Sequence, residues 1–207
     1  MSKLNLSKTD KVYYTSKSEP EVVEFDPINY LSIKGIGDPS GQDFSDRIQA
    51  LYPLAYTIKF AYKAIEQDFV VPKLEALWHF DNEKYADISM AMAPKQIPRS
   101  EWKYQLLIRM PDFVLKSQFH DAIKTLKAKK EVNHIDEIEF ITLNEGKCVQ
   151  MLHTGPFETE PVSLAKIKIF MDDQGLSKNG HHHEIYLSDF RKVAPEKLRT
   201  ILREPFK

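Results

Sequence analysis

Apolar residues recur at helical spacing in the first half of the chain, on a face formed by Phe44, Ile48, Leu51, Ala55, Ile58, Tyr62 and Ile65. The steps of three and four residues predict an amphipathic helix that lies on a sheet. Pro53 interrupts this pattern, and because proline lacks the backbone donor we expect a kink or a new start there. Similar spacing predicts a connecting helix within residues 113–130, another after Gly155-Pro156, and a short terminal helix over 194–203.

Short segments rich in β-branched and aromatic residues separate these helices, at 28–37, 74–80, 102–108, 138–143, 148–153 and 182–187. The fourth and fifth segments flank Asn144-Glu-Gly146-Lys147, which is typical of a hairpin turn. Residues 1–20 lack regular apolar spacing, and we expect an arm that packs as an irregular strand around Val12-Tyr13-Tyr14.

The order strand, helix, strand, strand therefore occurs twice, which predicts an α+β fold of tandem pseudo-symmetric strand-helix-strand-strand modules with antiparallel sheets and a cleft between the halves. We place an N-terminal arm at 1–20 and one domain at 21–207, with module one at about 21–112 and module two at about 113–207. Leu74–Trp78 aligns with His183–Leu187, so each module carries a glutamate, Glu75 or Glu184, in the second half of its sheet.

Composition narrows the class of protein. The 29 Lys and Arg balance 30 Asp and Glu, and no basic block is present, so we expect no nucleic-acid partner. No segment approaches the roughly 20 apolar residues of a membrane span, and no signal peptide is recognisable, so we expect no membrane partner. The single cysteine, Cys148, cannot form an internal disulfide, which favours a cytoplasmic location.

Glu184 and Glu75 are the first candidates for chemistry, because a carboxylate inside a strand is unfavourable unless it is solvated, paired or used. Strand alternation places Glu184 on the same face as Tyr186 and His182. If both glutamates face one cleft, at least one pKa rises and an acid-base group results; if both face water, nothing follows.

Metal and cofactor sites are not expected. His181-His182-His183 lacks ligand spacing, because consecutive strand residues point to opposite faces and no second cysteine exists. Cys148 could pair with His153 as a nucleophile, but a lone cysteine in an apolar segment usually packs in the core. No nucleophile elbow, phosphate loop or dinucleotide fingerprint is present.

Aromatic residues form the other signal. Those that do not fit one helical stripe could line a cleft, which would suit flat, apolar or cationic organic molecules. The ligand-binding residues that we predict are Glu184, Glu75, Tyr56, Trp78, Trp102, Tyr104, Tyr186 and His153.

The stretch from His182-His183-Glu184 to Asp189, followed by Arg191 to Arg203, resembles the C-terminal signature of GyrI-like small-molecule-binding proteins, in particular a stand-alone bacterial subgroup of this length. Four further motifs resemble that subgroup in the same order: Leu51–Tyr56, Pro72–Trp78, Trp102–Val114 and His153–Phe157. The resemblance covers about residue 20 to the C-terminus. Trp102-Lys-Tyr104, Ala76 and Phe190 depart from the subgroup pattern, so pocket size and ligand can differ.

The resemblance implies a ligand cleft between two pseudo-symmetric halves, with Glu184 on its floor and aromatic walls. Some stand-alone members are described as hydrolases that open strained cyclopropane rings of DNA-alkylating natural products. Our leading hypothesis is small-molecule binding, and hydrolysis is the alternative, with Glu184 as general base and Tyr56 or Tyr104 as hydrogen-bond donor. A third hypothesis is an interaction module that contacts a protein partner such as gyrase.

Overall fold

The computed structural model describes residues 3–81, 83–86 and 88–207, which form one antiparallel sheet with helices packed on it. The strands are β1 Glu21–Phe25, β2 Ile28–Ile36, β3 Leu74–His79, β4 Lys103–Arg109, β5 Glu139–Leu143, β6 Gly146–Thr154, β7 His182–Tyr186 and β8 Arg199–Pro205. The helices are α1 Leu6–Thr9, α2 Lys11–Tyr14, α3 Gln42–Ala64, α4 Ala93–Gln96, α5 Lys116–Lys129 and α6 Glu160–Asp173. The α+β prediction is therefore confirmed.

The strand order β1-β6-β8-β7-β3-β4-β2-β5 shows the pseudo-symmetry. Strand, helix, strand, strand appears as β2-α3-β3-β4 and again as β6-α6-β7-β8. The repeated order was predicted, but the last strand of the second unit was not. Each half has its strands in the same internal order, and β3 pairs with β7 at the centre, so the two halves share one continuous sheet. The edge strands are exchanged: β1 joins the second half and β5 joins the first.

This exchange shows that the hairpin prediction was wrong. β5 pairs with β2, and β6 pairs with β1 and β8, so the strands on either side of the Asn144–Lys147 turn lie at opposite ends of the sheet order. A turn sequence between two strand-like segments predicts that the chain reverses direction, but it does not determine which strands pair.

The predicted terminal helix over 194–203 was also wrong, because Arg199–Pro205 forms β8. This strand lies between β6 and β7, and its residues from Thr200 onward are buried, so both of its faces are covered. A strand covered on both faces has no polar-apolar alternation, and the spacing of Leu198, Ile201 and Leu202 then resembles a helical face.

The N-terminal arm is helical rather than a strand at Val12-Tyr13-Tyr14. Asp10 caps α2 by accepting a hydrogen bond from the Tyr13 amide, and both tyrosine side chains of α2 are buried. The long helix α3 continues through Pro53 without a break, in contrast to the expected new start.

Opposite faces of the sheet carry different coverings. The apolar side chains of α3 and α5 pack on one face of the first half, and those of α6 pack on the same face of the second half. The tyrosines of α2 pack on the other face, against Tyr30, Leu77, Leu107 and Ile185. Among the described residues, no helix combines the length and apolarity that crossing a membrane requires.

Candidate functional site

The site lies where β3 and β7 meet at the centre of the sheet. Trp78 pairs with His182 and Ala76 with Glu184, so these four residues share the helix-covered face. Alternation places Tyr186 on this face as well. A cavity of about 590 Å³ lies above these residues and receives side chains from both halves of the chain.

The cavity wall is largely aromatic. Trp78 stacks on Phe44 with ring centroids 5.9 Å apart, and Trp102 meets Trp78 edge to face at 5.8 Å. On the other side Phe157 and Phe190 lie edge to face around Tyr186. The remaining lining residues come mainly from the segments around the central strands: Pro39, Ser40, His79, Phe80, Met90, Ala93, Pro94, Lys95, Arg99, Glu158, Glu160, Pro161, Leu164, His182 and Glu184.

A chain of hydrogen bonds holds the Glu184 carboxylate. Trp78 Nε1 donates to the Tyr186 hydroxyl at 3.2 Å, and that hydroxyl donates to Glu184 Oε2 at 2.7 Å. Burial, and then the charge of Glu184, raises the pKa of Tyr186 well above its usual value, so the phenol keeps its proton. The carboxylate is thus held in one orientation within the cavity.

His182 lies on the other side of the same carboxylate. Its Nε2 is 3.3 Å from Glu184 Oε1, and its Nδ1 is 2.9 Å from Glu204 Oε1. Burial by itself lowers the pKa of His182, but the carboxylates of Glu204 and Glu184 outweigh it and raise that pKa to about 9. Lys178 Nζ follows at 2.7 Å from Glu204 Oε2. Charges of alternating sign therefore run from the cavity floor outward, and the imidazolium neutralises part of the Glu184 charge.

Glu160, in the first turn of α6, is a second carboxyl group of the lining that the sequence analysis missed. It is buried, and its Oε1 has no hydrogen-bond partner among the described residues. Burial first, and then the negative charge of Glu184, raises the pKa of Glu160 well above its usual value. The cavity therefore contains two carboxyl groups close enough to interact, and Glu160 holds its proton more tightly than a free glutamate does. A glutamate in the first turn of a helix is common because it interacts favourably with the helix dipole. The sequence pattern therefore did not mark Glu160 as a site residue.

Four of the predicted ligand-binding residues line the cavity: Glu184, Trp78, Trp102 and Tyr186. Tyr56 does not, because it follows Ala55 of the buried stripe of α3 and points to solvent, 46% exposed, beside Phe60. The prediction that Tyr56 acts in the cleft is therefore wrong.

Tyr104 and His153 lie behind the cavity wall. Tyr104 sits beside Trp78 on the neighbouring strand, but it is fully covered, and its hydroxyl donates to Asp43 at 2.7 Å. His153 is held by the Ser163 hydroxyl, 2.9 Å from its Nδ1. Neither side chain lines the cavity, so a direct role for Tyr104 as donor or for His153 as ligand contact does not fit the geometry.

Glu75 lies on the opposite face of the sheet, since it pairs with Ile185 while Glu184 pairs with Ala76. The alignment of Glu75 with Glu184 was therefore wrong: it is displaced by one residue, and a shift of one residue reverses the face of a strand. Glu75 is fully buried, accepting a hydrogen bond from Tyr13 at 2.5 Å, with His183 Nε2 3.0 Å away. The two glutamates do not share a cleft.

Cys148 and the histidine run offer no other reactive centre in the described part of the chain. Burial raises the pKa of the Cys148 thiol to about 12, so it is protonated and packs in the core at neutral pH. No group of three or more His, Cys, Asp or Glu side chains within residues 3–81, 83–86 and 88–207 is arranged to hold a metal ion.

Several known proteins resemble this chain in sequence and in fold. The sequence profile of the GyrI-like small molecule binding domain matches residues 18–206. An uncharacterized conserved protein from Listeria innocua is 35% identical with a TM-score of 0.88, over 99% of this chain and 100% of that one. A hydrolase from Listeria innocua is 36% identical with a TM-score of 0.84, over the same shares.

A second Listeria innocua hydrolase, encoded by lin2189, is 34% identical with a TM-score of 0.85 and covers both chains fully. The C-terminal domain of EcmrR is 16% identical with a TM-score of 0.55, over 91% of this chain and 97% of that domain, and therefore shares the fold alone. No curated protein sequence matches the chain.

Proposed function

The chain belongs to the GyrI-like small-molecule-binding family, and from this premise we propose that the cavity above β3 and β7 binds flat, largely apolar aromatic molecules, cationic ones included. The observation that carries the proposal is the enclosure of one oriented carboxylate, Glu184, by aromatic rings. A volume of about 590 Å³ is within the range of sites for small organic ligands.

Stacking supplies most of the affinity in this proposal. Rings from Phe44, Trp78 and Trp102 form one wall, and Phe157 and Phe190 contribute to the other. His182 already neutralises part of the Glu184 charge, so a positive charge on the ligand adds a smaller increment than it would beside a free carboxylate.

Tryptophan fluorescence tests this proposal directly, because the two tryptophans of the chain, Trp78 and Trp102, both line the cavity. A flat cationic dye and a neutral molecule of the same shape are titrated against the protein. We expect saturable quenching with both, and a loss of about fivefold in affinity for the cation in Glu184→Gln with a smaller loss for the neutral compound.

Glu139→Gln is the matched control, because Glu139 is an exposed strand glutamate on the distant edge strand β5. It should change neither affinity. Saturating ligand that leaves the tryptophan emission unchanged would contradict binding in this cavity, and equal losses for both ligands in Glu184→Gln would contradict the electrostatic part.

Hydrolysis is a second candidate, and the presence of Glu184 and Glu160 in one cavity favours it, because the raised pKa of Glu160 suits that carboxyl group to donate a proton. Two proteins similar to this chain over their full length are described as hydrolases. A general base and a general acid in one apolar cavity are the groups that ring opening by water requires.

For an activated cyclopropane conjugated to a carbonyl, Glu184 accepts a proton from water as the water oxygen bonds to a ring carbon. The carbon-carbon bond of the ring breaks, its electron pair moves through the conjugated system to the carbonyl oxygen, and Glu160 donates a proton there. Proton exchange with water returns both carboxyl groups to their starting states. The product is the substrate plus one water, and ring strain favours the step.

Mass spectrometry separates turnover from sequestration. The protein is incubated with a spirocyclopropyl cyclohexadienone, and the water-added product is counted per protein molecule. Product beyond one equivalent, reduced about 1,000-fold in Glu184→Gln and less in Glu160→Gln, supports the enzyme. Saturable binding without product would leave binding as the function.

A further inference from the structure

A second cavity, of about 710 Å³, lies beside the first on the same face of the sheet. The two cavities share a wall made by Trp78, His79, Phe80, Met90 and Leu164, each of which lines both. Met90 is the unbranched, flexible member of this wall, and its side chain can adapt to a ligand that contacts both cavities at little energetic cost.

The second cavity differs from the first in its charge. Each charged side chain of its described lining has a partner: Lys178 lies 2.7 Å from Glu204, and Lys168 lies 2.6 Å from Asp172. The cavity floor extends along α6, where Leu164, Ile167 and Met171 are apolar. A neutral, flat group therefore fits this cavity better than a charged one.

Two imidazoles, those of His79 and His181, stack on each other in the lining of the second cavity. The rings of His79 and His181 have centroids 4.2 Å apart and an interplanar angle of 23°. Burial, followed by the nearby positive charges, lowers the pKa of His79 to about 4, and burial and Lys178 lower the pKa of His181, so both rings are neutral at pH 7. Within the part of the chain that the structure describes, the buried Nδ1 of His79 has no hydrogen-bond partner.

We propose that the two cavities form one elongated binding site for a molecule with two flat rings. One ring stacks in the first cavity near Glu184. The second, a neutral heteroaromatic ring with an N–H donor, packs against the stacked pair of His79 and His181, and the tether passes Met90. This inference rests on the proposed function of the first cavity, because the first ring is held there.

The test compares a bis-benzimidazole dye, which has two linked N–H-bearing ring systems, with 2-methylbenzimidazole, which has one. Dissociation constants are measured by tryptophan quenching and by calorimetry with the full chain. We expect the two-ring dye to bind about 100-fold more tightly than the one-ring compound, since the tether makes the second contact intramolecular.

Variants separate the two cavities. Ala91 lines only the second cavity and Ser40 only the first, so Ala91→Trp and Ser40→Trp are matched fillings. Ala91→Trp should remove the advantage of the two-ring dye and leave the one-ring compound unchanged. Ser40→Trp should weaken both compounds. His181→Ala, at an exposed position, should weaken only the two-ring dye, by about fivefold.

Failure of the inference is distinguishable from failure of the proposed function. If both compounds bind with equal affinity, or if Ala91→Trp and His181→Ala leave the two-ring dye unaffected, the second cavity is not a binding compartment, and the first-cavity proposal stands. If neither compound binds the unmodified protein, both proposals are overturned. Thermal melts of each variant show whether the fold is retained.

Discussion

His182 and His183 are neighbours in sequence, but they belong to two different buried acid-histidine clusters on opposite faces of the sheet. His182 contacts Glu184 and Glu204 on the cavity face. His183 contacts Glu75 and Glu145 on the face that the N-terminal arm covers. The comparison shows how the same residue types are used for a ligand site on one face and for structure on the other.

On the face that the N-terminal arm covers, the buried polar groups contact one another. Tyr13 donates to Glu75, and its hydroxyl lies 2.6 Å from that of Tyr30. Burial alone would raise the pKa of Glu145, but the charges and hydrogen bonds of His183 and Arg203 outweigh it and lower that pKa to about 2. These groups neutralise one another, and neither of the two cavities described above is lined by Glu75 or Glu145.

The cavity face contains comparable groups with access to an open volume. Glu184 is 9% exposed and Glu75 is 0% exposed, a small difference that separates a carboxylate that a ligand or water can reach from one that neither can. Access to solvent, more than the presence of a buried carboxylate, therefore distinguishes the candidate site.

The largest effect that we expect comes from Glu75→Gln, which removes a buried charge from beside His183 and Tyr13. The free energy of unfolding should fall by about 3 kcal/mol, because the buried His183 keeps only Glu145 as a carboxylate partner and no water can replace Glu75. Glu184→Gln should lower it by about 1 kcal/mol or less, because water in the cavity can solvate the remaining groups. Urea unfolding measures both.

Equal losses in these two isosteric variants would contradict the distinction between the two faces. The slope of the free energy of unfolding against urea concentration serves as the control, because an unchanged slope shows that both variants unfold from the same compact state.

Removing one hydroxyl on each face should give the next largest difference. Tyr13→Phe deletes a donor to a buried carboxylate, and we expect a loss of about 2 kcal/mol. Tyr186→Phe deletes a donor to Glu184 and an acceptor for Trp78 Nε1, but the cavity admits water, so the loss should be about 1 kcal/mol. Thermal melts of the two variants measure both losses of stability. A larger loss in Tyr186→Phe would contradict the proposal that water reaches the cavity face and not the arm-covered face.

The dependence of stability on pH gives a third comparison. His182 has a folded pKa of about 9, above the usual 6.5, so its stabilisation is complete below about pH 6.5 and is lost as pH rises to about 9. The groups that face it are Glu184 from its own strand, Glu204 from β8 and, through Glu204, Lys178. His182→Gln should reduce the fall of stability by up to about 1.4 kcal/mol per pH unit in this window.

Glu145 contributes to the loss of stability at acid pH, the opposite end of the pH range. Its pKa is lowered to about 2, so its stabilisation is present above about pH 4.5 and is lost as pH falls towards 2. Glu145→Gln should flatten the acid limb and leave the alkaline contribution of His182 in place. Urea midpoints across pH 3–9 check both limbs, and an alkaline limb that is the same in His182→Gln and the unmodified protein would contradict the assignment.

The smallest effect is expected at Tyr56, which the sequence placed in the cleft and the structure places on the exposed side of α3. Tyr56→Ala should change the free energy of unfolding by about 0.5 kcal/mol or less and leave dye binding unchanged, whereas Trp102→Ala should weaken dye binding about tenfold. Loss of binding in Tyr56→Ala would show that the ligand extends beyond the cavity that Trp78 and Trp102 line.

Much of the local structure could be predicted from the chain alone. The stripe from Phe44 to Tyr62 predicted α3, because burial of one helical face requires that spacing. The face shared by Glu184, Tyr186 and His182 followed from strand alternation, which is a local property. The carboxylate inside an apolar strand indicated Glu184 as a candidate, and the motif resemblance indicated the family.

Other features depend on which segments meet in space. The segment that forms β8 has the apolar spacing of a helix. A strand that is covered on both faces has no alternation of polar and apolar residues to identify it. The partner of β5, the separation of Glu75 from Glu184 and the burial of Glu160 depend on pairing and register between segments far apart in the chain. No local pattern contains that information.

The sequence by itself thus determined most of the helices and strands, their order and the residue types available for chemistry, because helix and strand periodicity are set by neighbours along the chain. Only the tertiary structure decided which of those residues share the cavity. The register between β3 and β7 places Glu184 on the cavity face and Glu75 on the arm-covered face. The packing of α6 brings Glu160 close enough to Glu184 for the charge of Glu184 to raise the pKa of Glu160.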